Sequence, residues 1–326
     1  MTTAVLSGIL GISERAVSKQ LKNLQVQGRL RRVVSVQTKA VIGKSWRKTN
    51  MTKQERYMGM LWGLVVGDCL GSPIQFSDKD NHPVITKMEY CPVFKLPAGY
   101  WTDDSSMAFC VMESFSRMGK YDLADIARNF VRWTDEGFWS SADHAFDVGN
   151  ATWSAVDGIK NGRLKNGTED SQGNGSIMRF APSYIMAREL NSPVILHEIS
   201  DLTHDSHAVR KTVDKMAAVL DDHCAGRKTE IQSSYATREA VNNSGWCVST
   251  LDAALWAFHT TKSFRDGMIA AVNLGGDSDS IGAVYGQIAG AYYGLPAIPA
   301  EWKEAVKDWK KVDDFIVDFL HAVKCM

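Results

Sequence analysis

The sequence predicts an all-α body behind a short basic extension, and three observations carry that expectation. Beyond residue 51, apolar residues recur at intervals of three and four: Met107, Cys110, Val111, Phe115 and Met118; Ile126, Phe130 and Trp133; Val209, Val213, Met216 and Leu220. Strings of Gly, Asn and Asp break these stretches, at 165–167, 172–175 and 242–245. Alternation of period two, the mark of a half-buried strand, is rare. With 326 residues, 44% of them hydrophobic, the chain can bury a sizeable core. Regular helices would form that core, and the irregular Gly/Asp turns between them would carry the chemistry.

Charge divides the chain. Formal net charge is zero, yet residues 1–50 hold ten Lys/Arg against the single acid Glu14, so the extension is +9 and the body −9. The polar run 43–50, followed by Met51, marks the boundary between a 1–50 extension and a 51–326 body. In the extension, Ser13 is placed to cap a helix with Val17, Leu21 and Leu24 on one face and Arg15, Ser18, Lys19 and Lys22 on another. A turn at Gly28 then leads into Arg29, Arg31 and Arg32 on a strand. This resembles the recognition helix and wing of a winged helix-turn-helix, without a full leading helix. Three uses fit such an arm: DNA binding through its phosphates, docking on an acidic protein partner, or a solvated tail.

The body begins its helical pattern at Gln54. The next informative element is Trp101-Thr102-Asp103-Asp104-Ser105, at the start of the helix with Met107 and Phe115. About 170 residues later, Gly275-Gly276-Asp277-Ser278-Asp279-Ser280 opens a helix predicted over 280–293. Either turn alone reads as an acidic helix N-cap. Together they read as a site for hard cations, because crowded carboxylates repel unless a cation lies between them, and four carboxylates can balance two divalent ions. With oxygen donors and neither His nor Cys beside them, Mg²⁺ or Mn²⁺ suits the set better than zinc. Gly173-Asn174-Gly175-Ser176 is either a plain turn or a loop whose backbone can approach a phosphate. Asp147, in Asp147-Val148-Gly149, is either a proton-transfer group or the N-cap of the helix after it. Asp68, in Gly67-Asp68, is a structural N-cap candidate, and Gly67 a close-packing residue. The six cysteines show no CxxC and no zinc spacing, and read as small buried thiols of a reduced, cytoplasmic protein. No apolar run is long enough to span a bilayer, and the segment 4–12 is a poor signal peptide.

In order along the chain, Gly67-Asp68-Cys69-Leu70-Gly71, Trp101–Ser105, Gly173–Arg179, Thr203-His204 and Gly275–Gly282 resemble the motifs of the ADP-ribosylglycohydrolase family across 53–295. The resemblance implies an orthogonal multi-helix domain, monomeric, that holds two Mg²⁺ or Mn²⁺ ions and hydrolyses the glycosidic bond joining ADP-ribose to a protein side chain. By motif position, Thr102, Asp103, Asp104, Asp277, Asp279 and Ser280 would be the metal ligands, Ser280 standing where the family usually has Thr. Asp104 and Asp279 would also serve catalysis. Gly173, Asn174, Gly175, Ser176 and His204 would bind ADP-ribose, and Asp147 would lie near the scissile sugar as acid or base. Gln75 stands where the family usually places a Glu, and an amide can hold water but cannot take its proton. The substrate implied is an ADP-ribosylated protein, with arginine linkage leaned toward. Some relatives act as immunity proteins against ADP-ribosylating toxins, which makes such a toxin a candidate partner for the basic arm.

Overall fold

The computed structural model describes residues 51–324, and the winged-helix reading of 1–50 lies outside them. The described residues are helical throughout, with no strand and two isolated bridges, Cys91 with Leu96 and Gly173 with Trp246. Twelve α-helices follow in order: α1 (Lys53–Gly71), α2 (Asp103–Met118), α3 (Leu123–Glu136), α4 (Asn150–Lys160), α5 (Phe180–Glu189), α6 (Val194–Asp201), α7 (His207–Cys224), α8 (Cys247–Thr260), α9 (Phe264–Val272), α10 (Ser278–Tyr293), α11 (Ala300–Ala305) and α12 (Trp309–Lys324). The periodic apolar residues are the buried ones: Val209, Val213, Met216 and Leu220 on α7, and Ile126, Phe130 and Trp133 on α3.

Local chemistry sets the ends. Thr52 and Glu55 form a reciprocal capping box at the start of α1. Asp122, Ser206 and Ser263 cap α3, α7 and α9 through their side chains. Gly119 and Gly137 close α2 and α3 in the left-handed conformation.

The centre of the fold is the antiparallel pair α1 and α10, which touch backbone to backbone. Gly59, Gly63 and Gly67 face Gly290, Gly286 and Gly282, and Gly71 meets Ser278. A Cβ added to Gly63 would sit 2.0 Å from the carbonyl oxygen of Gly286, and one on Gly67 2.0 Å from that of Gly282. No side chain fits in that seam. The pairing brings the last turn of α1, with Asp68, beside the first turn of α10, with Asp279. Helices α7, α8 and α9 pack on α10, while α2, α5 and α12 pack on α1.

At the far end of the pair, the buried Arg56 donates from Nη1 to the carbonyls of His223, Ala291 and Tyr292, at 2.9, 2.9 and 3.0 Å. It therefore meets the negative ends of α7 and α10 together. The neighbouring His223 donates from Nδ1 to Ile288 O at 2.7 Å, and its Nε2 is buried without a partner. Burial holds this imidazole down to about 4, so the folded chain keeps it neutral. The unfolded ring titrates near about 6.5. The stability from keeping it neutral is thus complete above that pH and lost as pH falls toward 4, a loss on the order of 2–3 kcal/mol. Urea unfolding near pH 7 and near pH 4.5 is expected to show a smaller acid loss in His223→Gln than in the parent; equal losses would contradict this.

Candidate active site

The two acidic turns meet. Helix α2 starts at Asp103 with Thr102 at its N-cap, and α10 starts at Ser278, two residues earlier than the predicted 280, with Asp277 at its N-cap. Asp103, Asp104 and Asp279 lie within first turns, at the positive ends of the two helices. Contact runs from carboxylate to hydroxyl: Ser280 Oγ donates to Asp104 Oδ1 at 3.2 Å, and Thr102 Oγ1 lies 3.4 Å from Asp279 Oδ2. Asp68 is indeed a cap, but of another helix. From the end of α1 its carboxylate accepts from Thr102 N and Oγ1 and from Ser105 N and Oγ, at 2.6–3.0 Å. That commits the Thr102 proton to Asp68 and leaves oxygen lone pairs on the side of Asp279.

Ten of the expected residues line one cleft of about 400 Å³: Gln75, Asp103, Asp147, Gly173, Asn174, Gly175, His204, Asp277, Asp279 and Ser280. Thr102 and Asp104 sit fully buried just behind it. Ser176 departs from expectation. It does not line the cleft, and its hydroxyl is turned into the protein, 2.8 Å from Ser200 Oγ. Any part it plays in holding a ligand falls to its backbone. Asp147 is not the N-cap of α4, since Gly149 holds that position; Asp147 adopts φ +58° and accepts from Gln75 Nε2 at 2.8 Å.

The electrostatics are those of crowded acids, with the buried Arg179 as a counter-charge near Asp103 and Asp104. Burial, then the surrounding carboxylates, push Asp103, Asp104 and Asp279 well above the ordinary carboxylate range. Burial lifts Asp277, and raises Asp68 and Asp147 to about 6. Three buried oxygens here have no hydrogen-bond partner: Asp104 Oδ2, Asp279 Oδ1 and Gln75 Oε1. An orphaned, buried carboxylate oxygen is costly, and a divalent cation is the group that removes the cost. The donor set therefore fits a hard cation in its chemistry. Among the described residues, no three His, Cys, Asp or Glu side chains stand in the geometry of one shared ion, so any such ion would need other oxygen donors, hydroxyls or water, beside the carboxylates.

Further residues position the site, and Gln287 and Phe76 among them carry no local sequence signal. Gln287 of α10, fully buried, donates to the carbonyls of Ile177 and Met178 and accepts from Ala181 N, which fastens the end of the glycine loop to the central helix. Asn174 Nδ2 donates to Asp277 Oδ2 and to Thr250 Oγ1. Arg179 donates to Gly175 O and to Thr203 Oγ1. The exposed ring of Phe76 stands at the rim, held at φ +65° by backbone bonds of 2.7 Å between 76–77 and Gly276.

The fold is similar to that of a solved structure titled ADP-ribosylglycohydrolase-related protein complex. It matches with a TM-score of 0.70 at 30% identity, over 83% of this chain and 99% of that one. The ADP-ribosylglycohydrolase family model matches residues 49–325, and the chain belongs to that family. Among curated relatives, the ADP-ribosylarginine hydrolase Tri1 of Pseudomonas putida (strain GB-1) is 35% identical, over 77% of this chain and 74% of its own. The ADP-ribosyl-dinitrogen reductase glycohydrolase of Rhodospirillum rubrum is 28% identical, over 78% and 92%. The all-helical fold and the glycohydrolase class expected from the sequence both hold. No described helix is long and apolar enough to cross a membrane.

Proposed function

We propose that this chain is a divalent-metal-dependent hydrolase that removes ADP-ribose from modified arginine side chains. The observation that carries the metal dependence is the pair of orphaned oxygens, Asp104 Oδ2 and Asp279 Oδ1, buried where the two acidic turns meet. The arginine linkage is supported by the Tri1 relatives, two of which are named ADP-ribosylarginine hydrolases.

Thr102, Asp103, Asp104, Asp277, Asp279 and Ser280 would hold Mg²⁺ or Mn²⁺, and Asp68 would orient Thr102 for that task. When bound, the ions supply positive charge that grips sugar hydroxyls and lowers the pKa of water. The protein's own groups do the rest. Glycosidic cleavage builds positive charge at the ribose anomeric carbon, and a cleft lined by Asp103, Asp147 and Asp279 favours that charge. Asp147 is the proton-transfer group: burial raises it to about 6, near neutral pH, and it faces the same cleft. Gln75 cannot replace it, but its amide donates to Asp147 Oδ2 and fixes the carboxylate's direction. The lack of side chains at Gly173 and Gly175 leaves room for a diphosphate beside His204.

The test is release of ADP-ribose from arginine-linked and serine-linked protein, with Mg²⁺, with Mn²⁺ and in EDTA. Rapid release from the arginine substrate, lost in EDTA, is the expected result. Undiminished release in EDTA would refute the metal dependence. Gln75 favours one second reading, an ADP-ribose binder without turnover; tight binding of ADP-ribose with no release from either substrate would establish it instead.

A further inference from the structure

Arg179, Thr203 and His204 form a chain of hydrogen bonds whose directions can be read. Arg179 is fully buried, and a guanidinium only donates. Its Nη2 gives a hydrogen to Thr203 Oγ1 at 2.8 Å. The threonine hydroxyl has one hydrogen of its own, and its other hydrogen-bond neighbour is His204 Nδ1, also at 2.8 Å. Assigning that hydrogen to Nδ1, the neighbour able to accept it, satisfies every group in the chain and leaves the single hydrogen of the neutral ring on Nε2. That nitrogen faces the cleft. A Cβ built on Gly175 would come within 2.9 Å of it, and one on Gly173 within 3.4 Å. The same guanidinium donates from Nη1 to the carbonyl of Gly175, so one cation sets both the loop wall and the histidine beside it.

We propose that Arg179 and Thr203 are positioning residues that lock His204 as its Nε2–H tautomer, a neutral donor aimed at an anionic oxygen held against the Gly173–Gly175 loop. This rests on the ADP-ribose reading above, in which that oxygen belongs to the diphosphate. Neutrality has its own physical support: burial first, then the Arg179 charge, hold the imidazole down to about 3. A donor that never changes charge binds the nucleotide equally well across the physiological range. A directed hydrogen bond from a ring of fixed tautomer also costs no rearrangement when the ligand arrives.

The test uses the full chain labelled with ¹⁵N-histidine, with His204 assigned by its loss in His204→Gln. In the ligand-free protein, Nδ1 of His204 is expected at the shift of an unprotonated nitrogen and Nε2 at that of a protonated one, unchanged from pH 8 to pH 6. In Thr203→Val the tautomers should mix, and affinity for ADP-ribose by calorimetry should fall about tenfold, the scale of one lost hydrogen bond. Thr203→Ser should restore both. A protonated Nδ1 in the parent protein, or a Thr203→Val variant that binds ADP-ribose as tightly as the parent, would overturn the proposal. The parent spectrum alone decides the tautomer should the valine variant fail to fold. Neither readout needs turnover. A parent with the expected tautomer that binds ADP-ribose but releases none from modified protein would overturn the hydrolase reading and support the relay.

Discussion

Gly63→Leu is expected to yield no soluble folded protein, and Gly63→Ala to lower stability by at least about 3 kcal/mol. The cause is backbone against backbone. A β-carbon at Gly63 would lie 2.0 Å from Gly286 O, and neither helix can give way alone, because Gly59 and Gly67 are pressed against Gly290 and Gly282 in the same manner. Separating the pair would withdraw packing along both helices, which together anchor most of the others. Gly149→Ala is the control: a β-carbon there meets nothing within 4 Å, and its φ of −62° is ordinary for any residue. Because Gly149 is the N-cap of α4, where glycine is preferred to alanine, the change should cost no more than about 1 kcal/mol. Thermal melts followed by circular dichroism check both, and a Gly63→Leu protein melting like the parent would disprove the seam's importance.

Asp279→Asn is expected to lower the release rate by about 10²–10³-fold or more, and at the same time to raise the melting temperature in EDTA. Asp279 is buried, repelled by its neighbours and short of one hydrogen-bond partner, so without a cation its charge costs stability. The sign follows from linkage. A carboxyl held above its ordinary range contributes stability at low pH and loses it as pH rises, so the metal-free parent should weaken between mildly acid and neutral pH and the amide variant should weaken less. Mg²⁺ should raise the parent's melting temperature and barely move the variant's. A parent indifferent to Mg²⁺, alongside a fully active Asp279→Asn, would remove the metal from the account.

Much of this was legible in the sequence. The apolar spacing on α2, α3 and α7 marks those helices because each has one buried face and one wet face. The acidic turns are legible because carboxylates crowded within one turn repel each other, and two such turns suggest a common reason. What escaped was buried polarity. Arg56 and Gln287 look like any surface residue until the helices that cover them are in place, and Arg179, although it ends the Gly173–Arg179 motif, carries no sign that its guanidinium will be enclosed. Asp68 was legible as a cap, but its partner helix begins over thirty residues later. Ser176 was carried along by the loop around it, although its hydroxyl points toward Ser200 of α6. Of the glycine seam, Gly67 was legible as a close-packing residue and is one; the rest was missed for a different reason. Gly59, Gly63, Gly67 and Gly71 recur every four residues, as do Gly282, Gly286 and Gly290. Counting apolar residues treats glycine as silence, and the repeat was itself the signal.

The seam also limits how this protein can move. Interlocked main chains have no shallow path along which to slide; the next matching register lies a full helical turn, about 6 Å, away. The two acidic helix starts thus behave as jaws on a fixed frame, and any adjustment around a ligand would fall to the loop segments that line the cleft, 147–149 and 170–175. Substitutions in those segments should retune which modified proteins are admitted, while the spacing between the jaws stays as it is.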